Sequence, residues 1–512
     1  MNADHAKDRE TLCLRGGHVL TFDDDDSVFE EGEVWIEDGV ITAVGPVGAA
    51  PPPSAAPGAR HIEAKGRIVM PGLINGHAHS YGALLKGTVD VKPLDIFMLH
   101  VIAANADRSA REVEVSALVD CISMFRTGTT AVIDHFSHRP ATTSEALGAV
   151  MAAYGEAGMR AMVAPMFSDL PYLETVPLDA AALPAKVREA YAKQGRPALA
   201  PYFQVIEEGL EMATQYDGLV NVMLGVDGPQ RCSPELLEMT ADFQGRHGIG
   251  LHTHMLEAKT QAVMADEVGF VRRLLELGVI NDKSSFAHFI WCTDDDIAAA
   301  REAGVTIIHV PGSNLMVGSG ICPVLKLRRA GLAVAVGTDG ANCSAPNMFE
   351  KLRLACLLAR VTEPEFEDWL GARDTLKMGL SGGARAFGRS GGGTSGDIGV
   401  LQPGARADLV VLDPGSHLHR PLGDVWNHLL YYESGAGTEA VVVDGRVVME
   451  EGRLLTIDEE AVLAEAEEIV ARQRQGAAAT GPGIAAQYPA FHDMIVATLK
   501  TAGGPARFAK LD

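Results

Sequence analysis

Basic residues, paired cysteines and long hydrophobic runs are all scarce in this sequence of 512 residues. Lys and Arg number 43 against 67 Asp and Glu, which gives a formal net charge of −24. A surface this acidic repels phosphate backbones, so we expect no nucleic-acid partner. No apolar run reaches the roughly 18 residues that a membrane-spanning helix needs, so we expect no membrane span. The first ten residues are polar and charged and do not resemble a signal peptide.

The seven cysteines are scattered along the chain, and none of them forms a CxxC pair. An odd, dispersed set argues against a disulfide framework and is typical of reduced thiols, so we expect a cytoplasmic protein. We also expect no cysteine-based zinc site. Most of these residues are interpreted as small buried apolar side chains.

Both ends of the chain carry a β-strand pattern. Residues 33–45 alternate apolar and polar side chains around Asp38-Gly39, which is typical of a hairpin, and residues 404–413 and 440–448 repeat the pattern. We predict that the two ends form one composite β-sandwich around a central insertion. The predicted domains are 1–67 for the N-terminal part of the sandwich, 68–394 for the central domain, 395–456 for the C-terminal part and 457–512 for a helical tail.

The central region alternates short apolar strands with helical stretches, the pattern of βα units with parallel pairing. This pattern predicts an α/β fold, a closed (β/α)₈ TIM barrel, with an insertion at 167–218 after the third strand. A helix is predicted at 185–193 inside that insertion, a glycine-rich linker at 390–396, and an exposed amphipathic helix at 459–474. The predicted strands are 68–79, 129–134, 160–165, 221–226, 249–254, 285–288, 305–310 and 332–339.

The end of the first predicted strand carries two histidines separated by one residue, His77 and His79. Side chains alternate faces along a strand, so both imidazoles point the same way and offer a bidentate seat for a transition metal. Other strands end in residues of ligand type as well: His254 with Glu257, His288, and Asp339. The active sites of barrels form at the carboxyl ends of the strands. The sequence therefore predicts a metal site.

Three neutral imidazoles and one carboxylate can hold a divalent ion and leave a position for water. Asp339 can both bind the metal and accept a proton from the water. Glu257 can pass a proton to a ring nitrogen or to a leaving group, and His288 can orient hydroxide or stabilise charge. His252 competes with His254 as the ligand because both lie on one face of the fifth strand. We favour His254 because its spacing places Glu257 beside the metal.

Four motifs together resemble the amidohydrolase superfamily, and its cytosine deaminase-like branch in particular. They are NGHAHS at 75–80, His254-x-x-Glu257, Ala287-His288 and Gly337-Thr338-Asp339-Gly340. That branch includes triazine hydrolases, guanine deaminase and adenosylhomocysteine deaminase. The resemblance covers nearly the whole chain and implies a barrel with a composite β-sandwich. It also implies one metal held by His77, His79, His254 and Asp339, with Glu257 and His288 as catalytic partners.

The absence of a lysine in the fourth strand, 221–228, supports a single metal, because two-metal relatives commonly carry a bridging lysine there. Zinc suits the predicted ligands, although iron, cobalt or manganese could also bind. The loop after strand one departs from the branch, with Lys86-Gly87 and Ile96-Phe97-Met98 where many deaminases carry Arg-Gly and Trp-Leu. His135 and Asn314 are candidates for contact with substrate.

Two reactions fit these residues. The first is hydrolytic deamination of an aminated N-heterocycle. The second is hydrolysis of an acyclic urea, amide or carbamate-type bond, or removal of another ring substituent. A non-catalytic relative is disfavoured because every predicted ligand position is filled. We expect a small-molecule substrate and, from the habit of the family, a homo-oligomer.

Overall fold

The computed structural model describes residues 11–49, 58–265, 269–388, 398–415, 419–501 and 505–508. The linker predicted at 390–396 lies outside these residues. Among the described residues, no helix combines the length and the apolar character needed to cross a bilayer.

The strands, in chain order, are β1 (Leu12–Leu20), β2 (Val28–Glu37), β3 (Val40–Pro46), β4 (Arg60–Glu63), β5 (Ile68–Pro71), β6 (Leu73–His79), β7 (Thr129–Asp134), β8 (Arg160–Val163), β9 (Met166–Phe167), β10 (Val220–Val222), β11 (Gly225–Val226), β12 (Leu251–Met255), β13 (Ser284–His288), β14 (Thr306–His309), β15 (Ala333–Val336), β16 (Asp339–Gly340), β17 (Leu409–Leu412), β18 (Thr438–Val443), β19 (Arg446–Glu450) and β20 (Arg453–Leu454).

The α-helices are α1 (Leu94–Ala104), α2 (Ala110–Phe125), α3 (Ser144–Ala157), α4 (Ala185–Ala192), α5 (Ala200–Ala213), α6 (Pro234–His247), α7 (Lys259–Met264), α8 (Phe270–Glu276), α9 (Asp294–Ala303), α10 (Pro311–Met316), α11 (Val324–Arg329), α12 (Met348–Val361), α13 (Ala372–Met378), α14 (Ser381–Gly388), α15 (Val425–Tyr431) and α16 (Glu459–Lys500).

Eight parallel strands form the barrel, and β15 and β16 are two segments of the eighth. Two ladders, β10-β8-β7-β6-β16 and β12-β13-β14-β15, supply them. Leu224 and His252 join the ladders on one side, because the His252 N–H donates to the Leu224 carbonyl at 2.9 Å. On the other side the Thr338 N–H donates to the His77 carbonyl at 3.0 Å. Small and branched side chains such as Ala131, Ile308 and Ala335 fill the interior. The predicted TIM barrel is confirmed.

Strands β9 and β11 pair with each other, and the nine remaining strands form a second sheet that draws on both ends of the chain. Its order is β20-β19-β18-β17-β5-β1-β2-β3, with β4 beside β1. Strand β5 pairs in parallel with β1 and antiparallel with β17, so residues separated by more than three hundred positions meet within one sheet. The sheet therefore attaches directly to the first strand of the barrel.

The first barrel strand begins later than the sequence predicts. A continuous strand over 68–79 is wrong, because residues 68–71 belong to the second sheet and only Leu73–His79 enters the barrel. Gly72 makes the change of sheet possible. A Cβ atom at Gly72 would lie 2.1 Å from the Thr130 Oγ1 atom, so only glycine fits there.

The C-terminal helix runs from Glu459 to Lys500, past the amphipathic helix predicted at 459–474 and within the helical tail predicted at 457–512. Phe491, Met494 and Ile495 on its last turns pack against Ile96 and Leu99 of α1. The helix therefore covers α1, which forms one wall of the cleft described below.

A buried ionic cluster connects the barrel to the second sheet. The Arg160 Nε atom on β8 lies 2.6 Å from the Asp408 Oδ2 atom, and its Nη2 atom lies 2.9 Å from the Asp444 Oδ1 atom. Arg406 pairs with Asp444 as well. The Arg160 side chain is 1% exposed, so its charge depends on these partners.

Replacing Arg160 with Met should destabilise the protein by about 3–5 kcal/mol, because Asp408 would keep a buried charge without its guanidinium partner. The free energy of unfolding in urea, followed by circular dichroism, measures this change. Arg246→Ala is the matched control. It removes an exposed pair with Asp242 and should cost about 0.5 kcal/mol or less. Equal losses in the two variants would contradict a structural role for the cluster.

Candidate active site

The predicted site residues meet at the carboxyl ends of the barrel strands. His77 and His79 come from β6, His254 from β12, His288 from β13 and Asp339 from β16. A cleft of about 550 Å³ opens above them. His79, His254, Glu257, His288 and Asp339 are among its lining residues.

The Nε2 atoms of His79 and His254 point at each other. The Nδ1–H of His79 donates to the His135 carbonyl, and the Nδ1–H of His254 donates to the Asp227 carbonyl, each at 2.7 Å. A neutral imidazole that donates from Nδ1 carries its lone pair on Nε2. The two Nε2 atoms lie 3.2 Å apart, so two lone pairs face each other. This arrangement fits a cation, which both nitrogens can bind.

His77 offers a third nitrogen of this kind. Its Nδ1 atom lies 2.7 Å from the His252 Nε2 atom, and the His252 Nδ1 atom lies 2.7 Å from the Ser285 Oγ atom. The His77 Nε2 atom is buried and has no hydrogen-bond partner among the described residues. The side chains of His77, His79 and His254 each place a nitrogen within 4.8 Å of the others. His252 uses both its nitrogens in hydrogen bonds, so the geometry favours His254 as the ligand.

Asp339 completes the set of possible ligands. Its Oδ1 atom lies 3.4 Å from the His79 Nε2 atom. Burial raises the pKa of Asp339, but the nearby His79 and His288 rings and the Gly340 N–H outweigh burial and hold that pKa below its ordinary value. Asp339 therefore presents a carboxylate. Gly337 allows the last strand to approach β6, because a Cβ atom there would lie 2.8 Å from the His77 Cβ atom.

Glu257 and His288 lie beside this group. The His288 Nε2 atom is 3.8 Å from both the Glu257 Oε2 atom and the Asp339 Oδ2 atom. On the opposite side of the ring, the His288 Nδ1–H donates to the Asn314 Oδ1 atom at 2.8 Å. His288 has a φ of +71°, a strained conformation for a residue with a side chain. Such strain persists only where the surroundings fix the residue firmly.

Burial dominates the electrostatics of the histidines. It lowers the pKa values of His77 and His252 well below the ordinary value, and that of His79 to about 4 although Asp339 opposes the shift. These rings are therefore neutral, the form that binds metals. Burial alone would also lower the pKa of His254, but the hydrogen bond and the charge of Asp227 raise it instead.

Two predicted substrate contacts lie behind the cleft wall. His135 is buried, and neither of its ring nitrogens has a hydrogen-bond partner among the described residues. Asn314 holds His288, as described above. Neither residue is among those that line the cleft, so their contact with substrate stays a prediction.

The sequence analysis missed Asp227, Arg231 and Tyr81, all of which line the cleft. Asp227 follows the fourth barrel strand, and its Oδ2 atom lies 2.9 Å from the Arg231 Nη1 atom. Tyr81 stacks on the His79 ring with the centroids 5.1 Å apart. The sequence signal for Asp227 is its position, as a charged residue directly after the fourth barrel strand.

A barrel that gathers histidines and carboxylates at the carboxyl ends of its strands is the architecture of a metal-dependent hydrolase. A sequence model of the amidohydrolase family matches residues 68–448. The chain therefore belongs to the amidohydrolase family, as its motifs predicted, and it is a hydrolase acting on carbon–nitrogen bonds other than peptide bonds.

Curated relatives match nearly the whole chain. The 5'-deoxyadenosine deaminase of Methanosarcina acetivorans is 32% identical over 472 residues, which cover 90% of this chain and 99% of the relative. The 5-methylthioadenosine/S-adenosylhomocysteine deaminase of Pelotomaculum thermopropionicum is 31% identical over 473 residues, which cover 89% and 97% of the two chains.

Solved structures agree in fold. An adenosine deaminase from Xanthomonas campestris with bound zinc is 26% identical, with a TM-score of 0.76 and coverage of 91% of this chain and 99% of that one. Atrazine chlorohydrolase TrzN from Arthrobacter aurescens complexed with zinc is also 26% identical, with a TM-score of 0.77 and coverage of 90% and 100%.

Two variants, His254→Asn and His252→Asn, should distinguish a histidine that binds the metal from one that only holds a ligand in place by a hydrogen bond. We expect His254→Asn to lose most of its bound metal, because a lone-pair nitrogen is removed. His252→Asn should keep a metal-binding site with an affinity lower by about 10- to 100-fold. Metal content by mass spectrometry and competition with a chelator measure both effects. Loss of the metal in His252→Asn with retention in His254→Asn would reverse the assignment.

Proposed function

We propose that this protein is a metal-dependent deaminase that replaces the amino group of an N-heterocycle with oxygen and releases ammonia. One observation carries the proposal: the 3.2 Å approach of the His79 and His254 Nε2 atoms, with Glu257, His288 and Asp339 around them. The deaminase relatives, which match the chain over nearly its full length, support this choice of reaction.

His77, His79, His254 and Asp339 are the proposed ligands of one divalent ion. Nitrogen and carboxylate ligands suit zinc, and the zinc-bound structural neighbours support that metal, although iron, cobalt and manganese accept the same ligands. When bound, such an ion lowers the pKa of a coordinated water, so that a hydroxide nucleophile is available near neutral pH.

Two carboxylates of the site transfer the two protons of the water to the substrate. Glu257 relays one proton to the ring nitrogen next to the amino group, which makes the attacked carbon more electrophilic. Asp339 accepts the second proton and delivers it to the amino group, which leaves as ammonia. Water oxygen then forms the new carbonyl. His288, whose Nε2 atom lies 3.8 Å from both carboxylates, accepts a hydrogen bond from the attacking water and so orients its oxygen.

Asn314 has a positioning role in this scheme. It accepts the Nδ1–H of His288 at 2.8 Å and so keeps the Nε2 lone pair directed at the reacting group.

Removal of another ring substituent is the second candidate. The structural likeness to atrazine chlorohydrolase TrzN, at a TM-score of 0.77, supports it. The same attack on a ring carbon would then expel a different leaving group. Hydrolysis of an acyclic urea, amide or carbamate-type bond belongs to the same alternative.

The finer architecture is proposed along with the function. Contacts between the two halves of the second sheet, such as the Ile41 N–H donating to the Ala405 carbonyl at 2.8 Å, support a composite β-sandwich. We keep the predicted domain divisions, with the first boundary moved to Gly72 because Ile68–Pro71 pairs within the sheet. A homo-oligomer and a cytoplasmic location stay predictions.

Changing Glu257 to Gln should lower kcat for deamination by about 100- to 10,000-fold, because the amide cannot relay the proton. Ammonia release from a panel of aminated heterocycles, including 5'-deoxyadenosine, measures activity, and bound metal is assayed in parallel. Glu211→Gln, on the exposed face of α5, is the matched control and should behave as the unchanged protein.

Full activity in Glu257→Gln would remove this residue from the mechanism. Release of amines from ureas or of halide from chlorinated triazines, without ammonia from any heterocycle, would favour the second candidate.

Changing Asn314 to Leu should lower kcat by about 10-fold or more and leave KM and bound metal nearly unchanged, because only the orientation of His288 is lost. Steady-state kinetics separates the two parameters. Asn221→Leu, which removes a partly exposed amide bonded to the Gly218 carbonyl, is the control. A rise in KM alone would instead place Asn314 in substrate binding.

A further inference from the structure

The cleft has two chemically different parts. Its floor carries the histidines and carboxylates described above. Away from that floor the wall is apolar, and α1 supplies Leu94, Phe97 and Met98 to it. Residues three and four positions apart share one helical face, so these side chains form a continuous surface. Met166 of β9 and Val317, which follows α10, extend the apolar surface.

A buried ion pair lies in the same wall. The Asp227 and Arg231 side chains are 6% and 12% exposed, and the Asp227 Oδ2 atom is 2.9 Å from the Arg231 Nη1 atom. The Arg231 guanidinium also lies over the Tyr172 ring, with its Cζ atom 5.9 Å from the ring centroid. The charge of the arginine therefore has a partner in Asp227 and its flat face has one in Tyr172, while its buried Nε–H has no hydrogen-bond partner among the described residues.

The distribution of charge disfavours an anion in this part of the cleft. The proposed metal ion offsets the charges of Glu257 and Asp339, which leaves Asp227 beside Arg231, the one lysine or arginine among the described lining residues. Arg139 acts on Asp227 from outside the lining. An anionic group entering here would lie beside the Asp227 carboxylate, or would have to displace it from Arg231. Like charges placed together in a poorly solvated site are strongly unfavourable.

We propose that the substrate is an uncharged aminated heterocycle with an apolar substituent, which the wall formed by Leu94, Phe97, Met98, Met166 and Val317 receives. We further propose that the Asp227–Arg231 pair discriminates against substituents that carry a carboxylate or a phosphate. This inference rests on the proposed deaminase function, because it assigns the amino-bearing ring to the metal end of the cleft.

A pair of ligands of matched size tests the inference without requiring turnover. Adenine carrying an N9 pentyl group is compared with adenine carrying an N9 4-carboxybutyl group, and both are titrated into the metal-loaded protein by calorimetry. The pentyl compound should bind more tightly by about 100-fold. Equal affinity, tighter binding of the carboxylate, or failure of the pentyl compound to bind would each overturn the inference.

Asp227→Asn tests the role of the ion pair. The variant leaves the Arg231 charge without its carboxylate, so the pentyl-to-carboxybutyl affinity ratio should fall by about 10-fold or more. If the substitution also disturbs His254, the affinities of both compounds fall by the same factor, and their ratio does not change. Asp242→Asn is the matched control, because Asp242 and Arg246 form an exposed pair with the same spacing. Its ratio should not change, and an unchanged ratio in Asp227→Asn would remove the pair from the selectivity.

Ammonia release measured on the same two compounds, and on the heterocycle panel, separates this inference from the proposed function. An affinity ratio of the expected size with no ammonia from any heterocycle would contradict the deaminase and leave the selectivity standing. Ammonia release with equal affinities would do the reverse.

Discussion

The approach of two imidazole nitrogens that each carry a lone pair is the constraint on which the site depends. Unless a metal ion or a shared proton lies between them, the Nε2 atoms of His79 and His254 repel each other at 3.2 Å. Backbone carbonyls hold each ring from the other side, at His135 and at Asp227. These carbonyls belong to the loops after the second and fourth barrel strands. The position of the rings is therefore set by the closure of the barrel and not by either histidine strand alone.

The carboxylates that line the cleft are related to the proposed cation. In the proposed metal site, the charge of the ion offsets the buried carboxylates of Asp339 and Glu257. Asp227 is different, since Arg231 already neutralises it. Asp339 and Glu257 thus lie beside His288, while Asp227 is paired with Arg231 in the wall. The two proposals made above depend on this division of the carboxylates.

The sequence predicted the parts of the site whose signals are local. His77 and His79 stand in one short motif, and Asp339 lies in a Gly-Thr-Asp-Gly segment at the end of an apolar strand. The support given by Arg231 and Asn314 depends on contacts between separate loops, which strand periodicity does not indicate. In the fold, the division at Gly72 was hidden because the apolar run continues through it. The length of α16 was hidden by Gly481, Pro482 and Gly483, which usually end a helix.

The sheet shared by the two ends of the chain has a consequence for folding. Strand β5 requires β17 as its neighbour, and that partner is synthesised more than three hundred residues later. Strand pairs so distant in sequence form slowly, because the entropic cost of closing a long loop comes before any stabilising contact forms. On the ribosome, β5, which leads directly into the first histidine strand, therefore keeps one edge unpaired until β17 has emerged.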